Sequence, residues 1–224
     1  MKRLLVLATA IILAACGSGG PPPPEWKSDA ADLVARYQKH ALRGENLLAE
    51  RYFQQAVAAT GGAGRVAETA RLWLLRCAVR RAMLIDDACA EYVDLAPIEP
   101  NRADDAYYRF LRLEWEHVEP ALLPPQHRDL LRAPAEKRPA VLPRIEDPIA
   151  RLLDASLLVM RGEADDATLA LAAETASERG WRQPLLTYLR LLEKRAAERG
   201  DDAEAARLGV RIRLVEQNLL SEQP

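Results

Sequence analysis

The sequence predicts an all-α protein of antiparallel helical hairpins, stacked as an α-solenoid or as a compact helical array. Three observations carry this. Alanine and leucine supply 39 and 35 of the 224 residues, whereas valine, isoleucine and threonine together supply 24. The first two lose little side-chain entropy in a helix, and the β-branched residues that fill strands are scarce. Single glycines recur behind stretches of helical length, and acids follow them. Finally, 49% hydrophobic content with a formal charge of −2 excludes a disordered chain.

The chain opens with Lys2 and Arg3, continues with apolar residues over 4–13 and ends this stretch on small residues before Cys16. That is the pattern of a secretory signal, and the apolar run is too short for the roughly 20 residues of a spanning helix. Leu13-Ala14-Ala15-Cys16 resembles the lipobox of bacterial lipoproteins. The resemblance implies cleavage before Cys16, loss of residues 1–15, and a diacylglyceryl thioether and an acylated amino group on Cys16. Several acyl chains, at ~0.8 kcal/mol per buried methylene, anchor a protein far more firmly than one. The alternative is an ordinary signal cut at Ala8-Thr9-Ala10. Lipoproteins kept at the inner membrane commonly carry aspartate after the cysteine; Gly17 stands there instead. The resemblance therefore implies the outer membrane, with the body facing the periplasm.

Residues 16–27 read as a tether, flexible through Gly17-Ser18-Gly19-Gly20 and stiff through the four prolines that follow. Four prolines in a polyproline II conformation span about 12 Å. Beyond the tether, residues 28–96 predict N-terminal hairpins with helices over 28–43, 47–59, 66–85 and 86–95. Helix 66–85 is apolar nearly all round, with Leu72, Trp73, Leu74, Leu75, Cys77, Val79 and Met83, so it is expected to be buried on more than one side. Nine of the fifteen prolines fall in 97–148. Residues 97–147 are therefore read as short helices between turns, with one longer helix over 103–118. Residues 148–221 predict C-terminal hairpins with helices over 148–161, 164–178, 184–198 and 202–219, the first capped by Asp147 ahead of Pro148.

Three turns share a spacing: Arg43-Gly44-Glu45 with Ala49, Arg161-Gly162-Glu163 with Ala167, and Arg199-Gly200-Asp201 with Ala205. Each resembles the turn and second helix of a tetratricopeptide repeat, and the first continues with Phe53 and Ala56. The other copies depart from the pattern at Leu171 and Glu174, and at Gly209 and Ile212. The resemblance implies stacked hairpins that approach closely at the three alanines, with an extended surface for a partner.

Catalytic signatures are absent from the sequence. His40, His117 and His127 form no i, i+4 pair, and Gly61-Gly62-Ala63-Gly64 is not followed by the Lys-Ser or Lys-Thr of a phosphate loop. His117-Val118-Glu119 lacks the cysteines of a zinc deaminase. The Asp-Asp-Ala triplets at 86, 104, 165 and 201 fall at expected helix starts and are read as caps rather than metal sites. No catalytic residue, metal or cofactor is assigned. Acids are interspersed among the arginines, so no nucleic-acid partner is expected.

Cys77 and Cys89 are either bridged or two buried thiols. In one continuous helix they would lie about 18 Å apart, so a bridge needs the chain to turn between them. Tyr107, Tyr108 and Trp115, on one expected helix, and Trp181 are candidate contacts for a protein partner, with core packing as the alternative. The leading expectation is a non-enzymatic envelope lipoprotein that scaffolds or assembles other proteins. The alternatives are a peptidoglycan-active enzyme or its accessory, and a carrier of an apolar ligand.

Overall fold

The computed structural model describes residues 24–220, apart from the side chains of 219 and 220; the expected leader, Cys16 and most of the tether lie outside them. The helices are α1 (Glu25–Arg43), α2 (Asn46–Gly62), α3 (Val66–Ala82), α4 (Ala90–Leu95), α5 (Arg102–Leu111), α6 (Pro125–Arg132), α7 (Pro148–Met160), α8 (Asp166–Glu178), α9 (Arg182–Glu198) and α10 (Asp202–Leu220). Short 3₁₀ segments at Trp115–His117, Pro120–Leu122, Ala135–Lys137 and Pro139–Arg144 fill much of the interval between α5 and α7. Among the described residues there is no strand, and no helix is long and apolar enough to cross a membrane.

The tether stops earlier than expected. The carbonyl of Pro24 accepts the N–H groups of Lys27 and Ser28, so α1 begins at Glu25, and the Ser28 hydroxyl turns back to the Glu25 carbonyl instead of capping.

One backbone closure recurs. At Gly44, Gly162 and Gly200 the glycine N–H donates to the carbonyl three residues back, and the following acid's N–H to the carbonyl five back. The glycine then has positive φ, +71° at Gly162, which a residue without Cβ adopts at no steric cost. The same closure is made at Leu84 and Leu113, with φ of 59° and 65°. These two leucines overturn two expected boundaries. The helix read over 66–85 stops at Ala82, and the one read over 103–118 stops at Leu111, leaving Trp115 in a 3₁₀ turn. Leucine in this conformation costs roughly 1–2 kcal/mol, and both side chains are half-buried against the main core.

The identical spacing behind the three glycines does not give identical packing. Ala49 is 3% exposed and packs with Phe53 and Ala56. Ala205 is half-buried, and Ala167 is exposed because the apolar face of α8 is carried by Leu169, Ala172, Ala173 and Ala176. A shift in helix phase thus moves the second alanine off the contact.

The apolar packing divides into two clusters with α3 as their common wall, as its all-round apolarity predicts. Leu72, Val79 and Met83 face α1 and α2; Ala70, Leu74, Cys77, Ala78 and Ala82 face the larger cluster, which reaches α10. Chain-distant helices close on one another. The Tyr188 hydroxyl on α9 reaches the carbonyls of Ala82 and Leu152, and Arg182 pairs with Glu45 at 3.3 Å. The molecule is a compact helical array.

Candidate functional site

The middle of the chain has few regular hydrogen-bond ladders, so its carbonyls need other partners. Arginines supply them. Arg128 donates to the Leu123 carbonyl at 2.7 Å, Arg138 to that of Ala133 at 3.2 Å, and Arg151 to that of Ile145 at 2.7 and 3.0 Å. Arg161 donates to the carbonyl of the turn residue Leu113 at 3.3 Å. Arg138 and Arg161 also lie over the Trp115 ring, 4.7 and 4.4 Å from its centroid, and both bind the Glu163 carboxylate. Burial pushes that carboxyl up, but the two guanidiniums outweigh it and hold Glu163 below its ordinary range.

A cleft of about 390 Å³ opens between α3, α5, the start of α6 and the start of α7. Leu74, Ala78 and Val79 of α3 and Leu153 of α7 give it apolar walls, and Gln38, Asp104, Tyr107, Gln126, His127 and Asp147 add polar groups. Each polar group is set by local structure. Asn101 caps α5 through the N–H groups of Ala103 and Asp104, which places Asp104 and Tyr107 one turn apart on one face. Asp147 caps α7 through Ala150 at 2.6 Å. Asp104 holds Arg71 at 2.7 Å.

His127 is 2% exposed and its Nδ1 lies 2.6 Å from Oδ1 of Asp154, which has no exposure. Asp154 Oδ2 has no partner. Burial raises the Asp154 pKa, with His127 opposing the shift. With Nδ1 engaged by Asp154, Nε2 is the ring nitrogen left for a ligand in the cleft. The His127 ring also packs 5.7 Å from that of Tyr107 and 5.3 Å from that of Phe110. Burial raises the Tyr107 pKa, and Asp154 and Asp147 push it the same way.

Of the four aromatic candidates, only Tyr107 lines the cleft. Trp115, expected as a partner contact, is instead a core residue: it is 5% exposed, its Nε1 donates to the Phe110 carbonyl, and Phe110 stacks on its ring. Tyr108 packs against Tyr92, whose pKa burial pushes up to about 12. Trp181 is half-buried and touches both apolar clusters at the start of α9. Neither lines the cleft.

Cys77 and Cys89 are joined, with Cα atoms 5.5 Å apart. A helical return after the turn would have left them about two turns apart. The chain instead runs back irregularly over residues 84–89 before α4, and an extended chain advances about 3.3 Å per residue against 1.5 Å in a helix. For the same reason Asp86 and Asp87 do not cap α4, contrary to expectation. Asp87 pairs with Arg80 at 2.6 Å and accepts the Cys89 N–H. The triplets at 165 and 201 do cap, through Asp165 to Thr168 and Asp201 to Glu204. Ligand atoms of Cys77, Asp87 and Cys89 converge within 4.8 Å, but both sulfurs are spent in the bridge.

The sequence reading missed the His127–Asp154 pair because its members lie 27 residues apart. One signal was present: Asp154 is a lone acid within the apolar run from Leu152 to Leu158. Fold and cleft together define an all-α array with an open, polar-rimmed site of small-ligand or side-chain size. Comparison with family models, with curated proteins and with solved structures finds no match to this chain.

Proposed function

We propose that this protein is a lipid-anchored, non-enzymatic component of the cell envelope, held at the outer membrane through Cys16 and facing the periplasm, whose helical body binds a partner protein. The observation that carries the partner-binding reading is the cleft, apolar in its walls and polar at its rim, into which a projecting segment fits. The bridge between Cys77 and Cys89 suits an oxidising compartment. Exposed apolar residues at the α1–α2 turn, with Leu47 at 88% exposure, add contact surface away from the cleft.

A photo-crosslinking amino acid placed at Gln38 or Gln126 on the rim, and at exposed Glu178 on α8 as a remote control, tests the reading in intact cells. The expected result is a discrete protein adduct from the rim positions that Glu178 does not give. No adduct from the rim, or the same adducts from all three positions, would overturn it.

The His127–Asp154 pair favours one second reading, a hydrolytic accessory in which His127 deprotonates water. No serine, threonine or cysteine lines the cleft to act as nucleophile. Cell-wall cleavage by the purified protein that vanishes in His127→Gln, with folding intact, would establish that reading in place of the first.

A further inference from the structure

Of the Asp, Glu, Lys and Arg side chains, the cleft is lined by two acids and one base. Asp104 and Asp147 are carboxylates, and the Arg71 guanidinium is already engaged by Asp104, which leaves Asp147 uncompensated. Asp147 uses one oxygen to cap α7, and its other is left over. His127 is all but buried, and its Nδ1 is taken by Asp154, which leaves Nε2 as the ring nitrogen with no protein partner. Tyr107 stands among these groups, its ring next to that of His127 and one turn from Asp104. The charged groups that act on its hydroxyl, Asp154 and Asp147, are both acidic. An aromatic ring flanked by carboxylates attracts a cation.

The walls add a length requirement. Leu74, Ala78, Val79 and Leu153 offer apolar surface and no hydrogen-bonding side chain, so the part of a ligand passing them must be an aliphatic stem. A compact metal cation or a free guanidinium would leave these walls wet. A long aliphatic chain ending in a cation meets both demands.

We infer that the cleft receives a lysine or arginine side chain of the partner, its stem along α3 and its charged head among Tyr107, His127, Asp104 and Asp147. This rests on the partner-binding reading above and names the residue type by which the partner is held.

The test uses the full chain in detergent, ¹⁵N-labelled at histidine, with the His127 ring resonances followed as small probes are added. The probes are the Nα-acetyl methylamides of lysine, arginine and norleucine, together with 1,5-diaminopentane. The lysine and arginine derivatives are expected to shift His127 saturably, with norleucine about tenfold weaker or worse, a difference of about 1.4 kcal/mol. Asp147→Asn keeps the helix cap, since asparagine caps as well as aspartate, and removes the charge; it is expected to weaken the cationic probes about tenfold while leaving norleucine unchanged.

Equal binding of norleucine would overturn the inference in favour of an apolar-ligand site. Binding of the diamine tenfold or more above the lysine derivative would overturn it in favour of a free polyamine. No shift with any probe would overturn it outright. If the rim photoprobes still give their adduct in that last case, partner binding stands and only the cationic chemistry falls. Probe binding without an adduct gives the reverse.

Discussion

The C-terminal hairpins and the middle of the chain stay folded by different means. In α7 to α10, glycine closures repeat at Gly162, Gly180 and Gly200, and leucines and alanines fill the space between helices. Between α5 and α7 the closures are irregular and the backbone is held by arginine side chains reaching carbonyls five or six residues away. The first region satisfies its backbone locally and spends its side chains on packing. The second must spend side chains on its backbone, and its irregularity brings Tyr107, His127 and Asp147 together around a cleft. Regular hairpins build the wall, and the less regular segment furnishes most of the polar chemistry.

The strongest way to break this contrast is Arg138→Ala. It removes a carbonyl bond, both bonds to Glu163 and the cation over Trp115, so urea unfolding should show a loss of about 3 kcal/mol. Arg132→Ala, an exposed pair with Asp129, should change stability by less than about 0.5 kcal/mol. Equal effects would mean that the arginines of the middle segment are not its supports.

Removing the Cys77–Cys89 bridge by paired substitution to alanine should cost about 2–3 kcal/mol, because it frees a loop of 12 residues in the unfolded chain. Thermal denaturation checks this.

Asp154→Ala leaves the His127 Nδ1 group buried without a partner and should cost about 2 kcal/mol. The double change His127→Leu with Asp154→Leu should cost less than that single change, since buried pairs replaced by apolar groups are often near neutral. A larger loss in the double variant would show that the pair stabilises the fold instead of serving the site.

Gly162→Ala meets no atom within 4 Å, so only the positive φ opposes it, and about 1 kcal/mol should be lost.

The smallest expected effect is one of pH. Glu163 sits below the ordinary carboxyl value of 4.5, so its contribution is complete above about 4.5 and is lost as pH falls through its folded pKa. Glu163→Gln should flatten the acid limb of stability measured from neutral pH down to about 3. Asp154 runs the other way: its raised pKa gives stability below its unfolded value that is lost as pH rises through its folded one.

The same contrast explains what was legible in the sequence. All-α content, the hairpin turns at Gly44, Gly162 and Gly200, and the two-sided burial of α3 follow from composition, from glycine and from apolar pattern, all local properties. The stops at Leu84 and Leu113 were not legible, because a leucine takes positive φ only when tertiary packing holds it there. Trp115 read as a helix-face candidate for the same reason: with the Leu113 turn unseen, it stayed on the helix of Tyr107. Tyr107 was found through its aromatic neighbours. His127 was noted as an isolated histidine, and its partner emerges only when α6 packs on α7.

Hydrogen exchange in Arg128→Ala tests most directly whether the middle segment is pinned by arginine and carries the site. Arg128 holds the Leu123 carbonyl just ahead of α6, the helix that bears His127. Amides of residues 120–132 should lose protection and the lysine-derivative probe should bind more weakly, while α9 and α10 exchange as in the parent chain. Equal loss of protection in α9 and α10, or unchanged protection over 120–132, would contradict the account.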